Sequence, residues 1–251
     1  MTNAPAKRAF KITFWPTVIT TVMVTTASLL GIWQSQRLVW KENLISERLA
    51  RRDAPPVPLS SLDNVLEMAD LAFRRVAITG TLLHDREMTF LGRDSEGRAG
   101  YHIVTPLQTP DFPQQILINR GWVSMEERYQ ADRPRDPLPT DPQNITGLLR
   151  PGFAKSCLNL IFATECFTPD NDPSKNLWFW TDYPALSDHV GANLLPFVIE
   201  QDRANDLMQR PKGGQIPLDL PNNHLQYAIT WFSMAIAGAV IWFLYHWRKP
   251  D

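Results

Sequence analysis

Two long uncharged runs constrain this chain more than any other feature of its sequence. Residues 12–36 and 225–245 contain no Asp, Glu, Lys, Arg or His. Each run is long enough to supply the ~20 residues that a helix needs to cross a hydrocarbon core of about 30 Å. Trp15 and Trp33, about 27 Å apart along such a helix, suit the two membrane interfaces. The sequence therefore predicts a membrane protein with transmembrane helices over residues 12–36 and 225–247.

The basic residues Lys7, Arg8 and Lys11 precede the first run, which is also the arrangement of a cleaved secretory signal. The run is longer than the apolar part of a signal, and no A-x-A cleavage site follows it. We therefore favour a retained helix. No long leader rich in Arg and Ser precedes this run, which favours a bacterial inner membrane over a mitochondrion.

Charges beside the second run predict the orientation. Arg248 and Lys249 follow it directly, whereas residues 213–246 contain neither Lys nor Arg. By the positive-inside rule the C-terminus is cytoplasmic, and two spans return the N-terminus to the same side. The predicted regions are a cytoplasmic N-terminus (1–11), a periplasmic β-rich domain with linkers (37–224) and a cytoplasmic C-terminus (248–251).

The region between the spans contains 18 of the 21 prolines, which excludes long helices from most of it. Short segments of alternating or β-rich sequence lie between the prolines. We therefore expect a mostly β extramembrane domain, folded as an antiparallel barrel or sandwich. A linker with a short helix is expected over residues 53–70. The seven candidate strands are residues 73–83, 87–93, 100–109, 114–124, 143–150, 177–182 and 195–201.

The balance of charge and the absence of known motifs exclude several function classes. A net charge of −1 argues against a nucleic-acid partner. The sequence has no G-x-S-x-G, H-E-x-x-H or glycine-rich phosphate loop, so we expect no enzyme. Cys157 and Cys166, the only cysteines, can form a local disulfide in an oxidising compartment or remain two free thiols.

His224 stands at the start of the second run and shares one helical stripe with Tyr227 and Trp231. His224 and Trp231 are about 10 Å apart along the axis, about the width of a porphyrin. A neutral imidazole can ligate haem iron, and apolar, aromatic surroundings suit the macrocycle. Alternatively, Asn222 or Asn223 caps the helix and His224 is an interfacial polar residue. The stripe continues through Ala228, Ala235, Gly238 and Trp242, and Ala235, Gly238 and Ala239 can instead form a packing face against the first span or another membrane protein.

A second stripe begins near the end of the first run and continues past it, with basic side chains between indoles. Trp33, Arg37, Trp40 and Lys41 fall on one helical face together with Leu44. This pattern is typical of an aromatic belt with snorkelling cations. Arg37 and Lys41 are also candidates to pair with haem propionates or lipid phosphates.

Six stretches of the chain are the most distinctive: LGIWQSQRLVWKENLI (30–45), VAITGTLLHDREMTFLGR (76–93), GYHIVTPLQ (100–108), ILINRGWVS (116–124), LWFWTDYPAL (177–186) and NNHLQYAITWF (222–232). Together and in this order, they resemble the Surfeit-locus (Shy) family of cytochrome c oxidase assembly factors. Two departures stand out: Ser124 replaces the family's usual Pro, and residues 153–167 look like a local insertion.

The resemblance implies a non-enzymatic factor that assists insertion or retention of haem a in the catalytic subunit of the oxidase. His224 and Trp231 correspond to the proposed haem contacts of the family. The expected partners are the membrane and that catalytic subunit, against which the stripe around Gly238 would dock, with haem a synthase as a further candidate. The alternatives are a scaffold that stabilises oxidase subunits without binding haem, and a periplasmic enzyme that uses His102 with a nearby carboxylate.

Overall fold

The computed structural model describes residues 9–62, 71–133, 136–159, 164–206, 208–215 and 222–248. The chain divides into two compact units. Residues 1–47 and 219–251 form a two-helix unit, and residues 48–218 form a β domain. The predicted fold class, two membrane helices flanking a β-rich domain, is confirmed.

The described helices are α1 (Phe14–Asp53), α2 (Tyr183–Val190) and α3 (His224–His246). Both α1 and α3 are long and apolar enough to cross a membrane. With 40 residues α1 is about 60 Å long, twice the hydrocarbon thickness, so it continues well beyond the predicted end of the span at residue 36. Pro16 lies in the first turn of α1, where its missing N–H breaks no helical hydrogen bond.

The described strands of the β domain are β2 (Val57–Pro58), β3 (Arg75–Leu82), β4 (Met88–Arg93), β5 (Ala99–Gln108), β6 (Gln115–Ser124), β7 (Gln143–Arg150), β8 (Cys157–Asn159), β9 (Thr164–Cys166), β10 (Leu177–Trp178) and β11 (Leu194–Gln201). Five of them form a closed ring at the centre of the domain. The ring runs β3–β5–β6–β11–β7 and returns from β7 to β3, while β4 extends it beside β5. The closed barrel confirms the β prediction, and six of the seven candidate strands match strands of the ring and β4.

One pairing of the ring is not antiparallel as the sequence pattern suggested. Strands β6 and β11 run parallel, with Ile118 beside Ile199. Parallel neighbours cannot be joined by a tight turn and need a long crossover connection. Here that connection includes β7 and α2, so β11 enters the ring far along the chain from its partner.

The barrel core and a second core outside it bury opposite faces of the same strands. Ile116 and Ile118 of β6 face the barrel interior. Leu117, between them, packs outside with Leu186 and Val190 of α2. Because both faces are covered, three consecutive residues of β6, 116–118, are apolar rather than alternating with polar ones.

The candidate strand at residues 177–182 is wrong for most of its length. Only Leu177 and Trp178 pair, and α2 follows at Tyr183. Capping explains the helix: the Asp182 side chain accepts a hydrogen bond from the Ala185 N–H, and Gly191 ends it in a left-handed conformation.

The two cysteines lie opposite each other in the hairpin of β8 and β9 and form a disulfide. The tip of this hairpin, residues 160–163, lies outside the described residues. The same applies to residues 63–70, within the predicted linker and short helix (53–70).

Candidate functional site

The two membrane helices pack through small side chains. Ala27 and Gly31 of α1 are buried, as are Ala228, Ala235 and Gly238 of α3. A Cβ atom at Gly31 would lie 2.7 Å from the Phe232 ring. Small residues let two backbones approach closely, which is how many membrane helices associate.

This packing shows which surface covers the stripe of small residues on α3. At Gly238 an added Cβ would lie 2.1 Å from Met23 Cε and 3.4 Å from Val24. The stripe through Ala228, Ala235 and Gly238 therefore faces α1 of the same chain. A contact between Gly238 and a partner protein stays a prediction.

Polar contacts join the two helices at the end where α1 begins. The Trp242 indole N–H donates to the Thr17 hydroxyl at 3.0 Å, and His246 Nε2 lies 3.0 Å from the Thr13 hydroxyl. Beyond them, strand β1 (Ala9–Phe10) pairs with β12 (Trp247–Arg248). These bonds satisfy polar groups that would cost free energy if they were left unpaired inside a bilayer.

His224 is the first residue of α3 and is held from two sides. Its backbone N–H donates to Asn222 Oδ1 at 3.4 Å, so Asn222 rather than Asn223 provides the side-chain contact. Its ring Nδ1 lies 2.7 Å from Oε1 of Gln34, on α1. With the imidazole half-buried and one nitrogen bonded, Nε2 is the ring atom left for a further ligand.

The aromatic neighbours of His224 differ in exposure. Tyr227 is 54% exposed, whereas Trp231 is half-buried. Both lie on α3 within two turns of the histidine. Ala228, the small residue between His224 and Trp231 on the helix, is buried.

The aromatic and basic group at the end of the first span is exposed in part. Trp33 and Trp40 are 53% and 49% exposed. The Arg37 guanidinium lies 3.7 Å from the centre of the Trp40 ring, and Lys41 is half-buried. Arg37 follows Gln34 by three residues and is therefore its neighbour on the surface of α1. The Arg37 guanidinium thus lies one helical turn from Gln34, the residue that contacts the His224 ring.

His102, the candidate for an enzymatic site, is enclosed in the β domain. Its Nε2 donates to the Arg93 carbonyl at 3.1 Å, and Asn119 contacts its Nδ1 at 3.4 Å. Asn119 also donates to Glu200 at 2.7 Å. Burial lowers the pKa of His102 to about 4, because desolvation penalises the imidazolium, and Arg150 adds to this effect. The ring is thus a neutral, bonded part of the interior.

A buried group of four charges was not predicted from the sequence. Arg120 and Arg133 pair with Glu87 and Asp136, and the four side chains are at most 11% exposed. The signal that could have revealed it is Arg120 itself, because an arginine inside an apolar strand requires a buried partner. Beside it lies a cavity of about 310 Å³ at one end of the barrel.

Within the described ranges, no three His, Cys, Asp or Glu side chains converge into a site that could hold a bare metal ion. The His224 ring contacts the Gln34 amide, and Tyr227 and Trp231 follow it on α3. A single imidazole is compatible with an iron porphyrin, because a porphyrin supplies four of the metal's ligands itself.

Comparison with known proteins identifies the family of this chain. The profile of the SURF1 family matches residues 21–236. Surfeit locus protein 1 of Xenopus tropicalis is 31% identical over 95% of this chain and 78% of its own length. The human protein of the same name is 30% identical over 96% of this chain and 80% of its own. The SURF1-like protein of Drosophila melanogaster is 32% identical over 85% and 72%. The chain therefore belongs to the SURF1 family.

Proposed function

We propose that this chain is an assembly factor for haem-copper cytochrome c oxidase that assists insertion or retention of haem a in the catalytic subunit. The observation that carries the proposal is the imidazole of His224, bonded to Gln34 through Nδ1 in a chain of the SURF1 family. Family membership implies the oxidase, and the imidazole supplies a group that binds haem iron. The proposed factor is a carrier and not an enzyme.

His224 Nε2 is the proposed iron ligand, with Tyr227 and Trp231 as contacts of the macrocycle. Arg37, stacked on Trp40, is the proposed partner of a propionate, because a guanidinium pairs with a carboxylate in two hydrogen bonds. Trp33 and Lys41 are the proposed residues at the outer edge of this haem site. A single imidazole gives modest affinity, which suits a factor that must release its cargo.

Localisation is proposed from the charges at the ends of the spans. Both termini lie in the cytoplasm and the β domain in the periplasm of a bacterial inner membrane, since Arg248 and Lys249 follow the second span. The Cys157–Cys166 disulfide supports an oxidising location for the β domain. The membrane, the oxidase catalytic subunit and haem a synthase are the proposed partners.

The second candidate is a scaffold that stabilises oxidase subunits and holds no haem. The packing of the α3 stripe against α1 favours it, because Ala228, Ala235 and Gly238 are covered within this chain. Under this proposal the bond between His224 and Gln34 only joins the two helices.

Complementation of cells that lack this factor separates the two candidates. The haem a content of the assembled oxidase is measured with wild-type, His224→Ala and His189→Ala chains at equal abundance. His189 is an exposed histidine on α2 and serves as the matched control. We expect loss of haem a from the oxidase only with His224→Ala. Normal haem a content with that variant would exclude the carrier and favour the scaffold.

A further inference from the structure

Gln34 faces the proposed haem ligand from the other membrane helix. Its side-chain Oε1 lies 2.7 Å from His224 Nδ1, although the two residues are 190 positions apart in the chain. This distance is at the short end of the range for N–H···O hydrogen bonds. An amide oxygen can only accept, so the bond requires the proton of a neutral imidazole to be on Nδ1.

The position of that proton decides which ring nitrogen can bind a metal. A neutral imidazole has one protonated nitrogen and one with a free lone pair. If Nδ1 carries the proton, the lone pair is on Nε2. If the Gln34 amide nitrogen pointed to Nδ1 instead, Nε2 would be protonated and could not bind iron.

We infer that Gln34 is a positioning residue that holds the proton of His224 on Nδ1 and thereby presents Nε2 as the ligand atom. The role of Gln34 in haem binding rests on the proposed function, whereas the tautomer of His224 is a property of the protein alone. Histidines that bind metals usually donate their second ring N–H to a fixed acceptor. That acceptor orients the ring.

The two membrane helices are thereby coupled to the site. One turn earlier on α1, a Cβ atom at Gly31 would lie 2.7 Å from Phe232 of α3, so the two helices are close together where Gln34 reaches His224. The small-residue packing therefore determines both the spacing of the helices and the reach of the Gln34 amide to the imidazole. A separation of the helices would break the bond and leave the ring free to rotate.

The first measurement is independent of haem. Full-length protein labelled with ¹⁵N-histidine is studied by NMR in detergent at pH 8, and the His224 signals are identified by their loss in His224→Ala. We expect the Nδ1–H form in the wild type, its retention in Gln34→Glu, which keeps an acceptor, and its loss in Gln34→Leu. Gln36→Leu, an exposed glutamine two residues further on α1, is the matched control and keeps the Nδ1–H form.

The second measurement uses ferric haem b as the probe and follows its absorption during titration. Gln34→Leu should weaken binding by about 10- to 100-fold, whereas Gln34→Glu and Gln36→Leu should bind as the wild type or tighter. An Nε2–H form in the wild type, or Nδ1–H retained in Gln34→Leu, overturns the inference whatever the haem result. Equal haem binding by wild type and His224→Ala refutes the proposed ligand instead, and leaves the tautomer result to decide the role of Gln34.

Discussion

Replacement of Gly121 by alanine should destabilise the β domain strongly, because two independent penalties apply at one position. Gly121 lies in β6 with φ of +131°, a conformation that residues with a Cβ rarely adopt. A Cβ there would also lie 2.1 Å from the Lys212 carbonyl oxygen and 2.5 Å from the Gly213 nitrogen. These are backbone atoms, so no side-chain rotation can relieve the overlap.

The size of the effect follows from the bonds that must be given up. Trp122 and Lys212 exchange two backbone hydrogen bonds of 2.9 Å, which hold the segment after β11 against β6. Each contributes about 0.5–1.5 kcal/mol. The backbone strain adds roughly 1–3 kcal/mol. We therefore expect Gly121→Ala to lower the free energy of unfolding by about 2–6 kcal/mol, a large part of the stability of an ordinary domain.

The matched control is Gly97, which also has a positive φ, +84°, but no atom within 4 Å of an added Cβ. Its replacement by alanine incurs only the conformational penalty, about 1–2 kcal/mol. Urea unfolding of the full chain in detergent, followed by tryptophan fluorescence, gives both values. Equal destabilisation by the two variants would refute the argument from the Lys212 contact.

Further predictions concern a titration, an ion pair and the membrane helices. Because the pKa of His102 falls from 6.5 to about 4 on folding, the unfolded chain binds more protons between these values. The free energy of unfolding should therefore fall by up to about 3 kcal/mol as the pH drops through this window. The His102→Asn variant should show a smaller pH dependence. Urea unfolding at pH 7 and 4.5 measures both. Asp136→Asn removes one of the two buried negative charges that pair with Arg120 and Arg133. It should lower the free energy of unfolding by about 3–5 kcal/mol in the same assay at pH 7. Gly31→Ala forces the Phe232 ring to move and should destabilise the two-helix unit by about 1–3 kcal/mol, read as a lower thermal midpoint in detergent.

The β strands could be predicted because their signals are local. Prolines and turn residues delimit short segments, and six of these became strands of the ring and β4. The parallel pairing of β6 with β11 could not be predicted, because no local pattern encodes which distant strand completes a ring. Helix α2 had a readable signal that was missed: Asp182 at its start, Pro184 in its first turn and Gly191 after its end.

Only the part of the candidate site that lies on α3 was predictable from the sequence. The position of His224 at the start of a helix, with Tyr227 and Trp231 following, is a property of α3 alone. The packing of α1 on that helix, and the bond from Gln34, depend on tertiary contact between segments almost 200 residues apart. Periodicity identified the stripe of small residues correctly, but a single sequence does not say which surface covers it.

The most direct test of a haem-carrying role is the absorption spectrum of the full-length protein purified from cells that also produce haem a. The wild type should show a haem a spectrum at up to one haem per chain. His224→Ala, purified in equal yield, should lose that signal, because the single imidazole ligand is gone. A wild-type protein free of haem, or a variant with an unchanged haem a spectrum, would contradict the proposed role of His224.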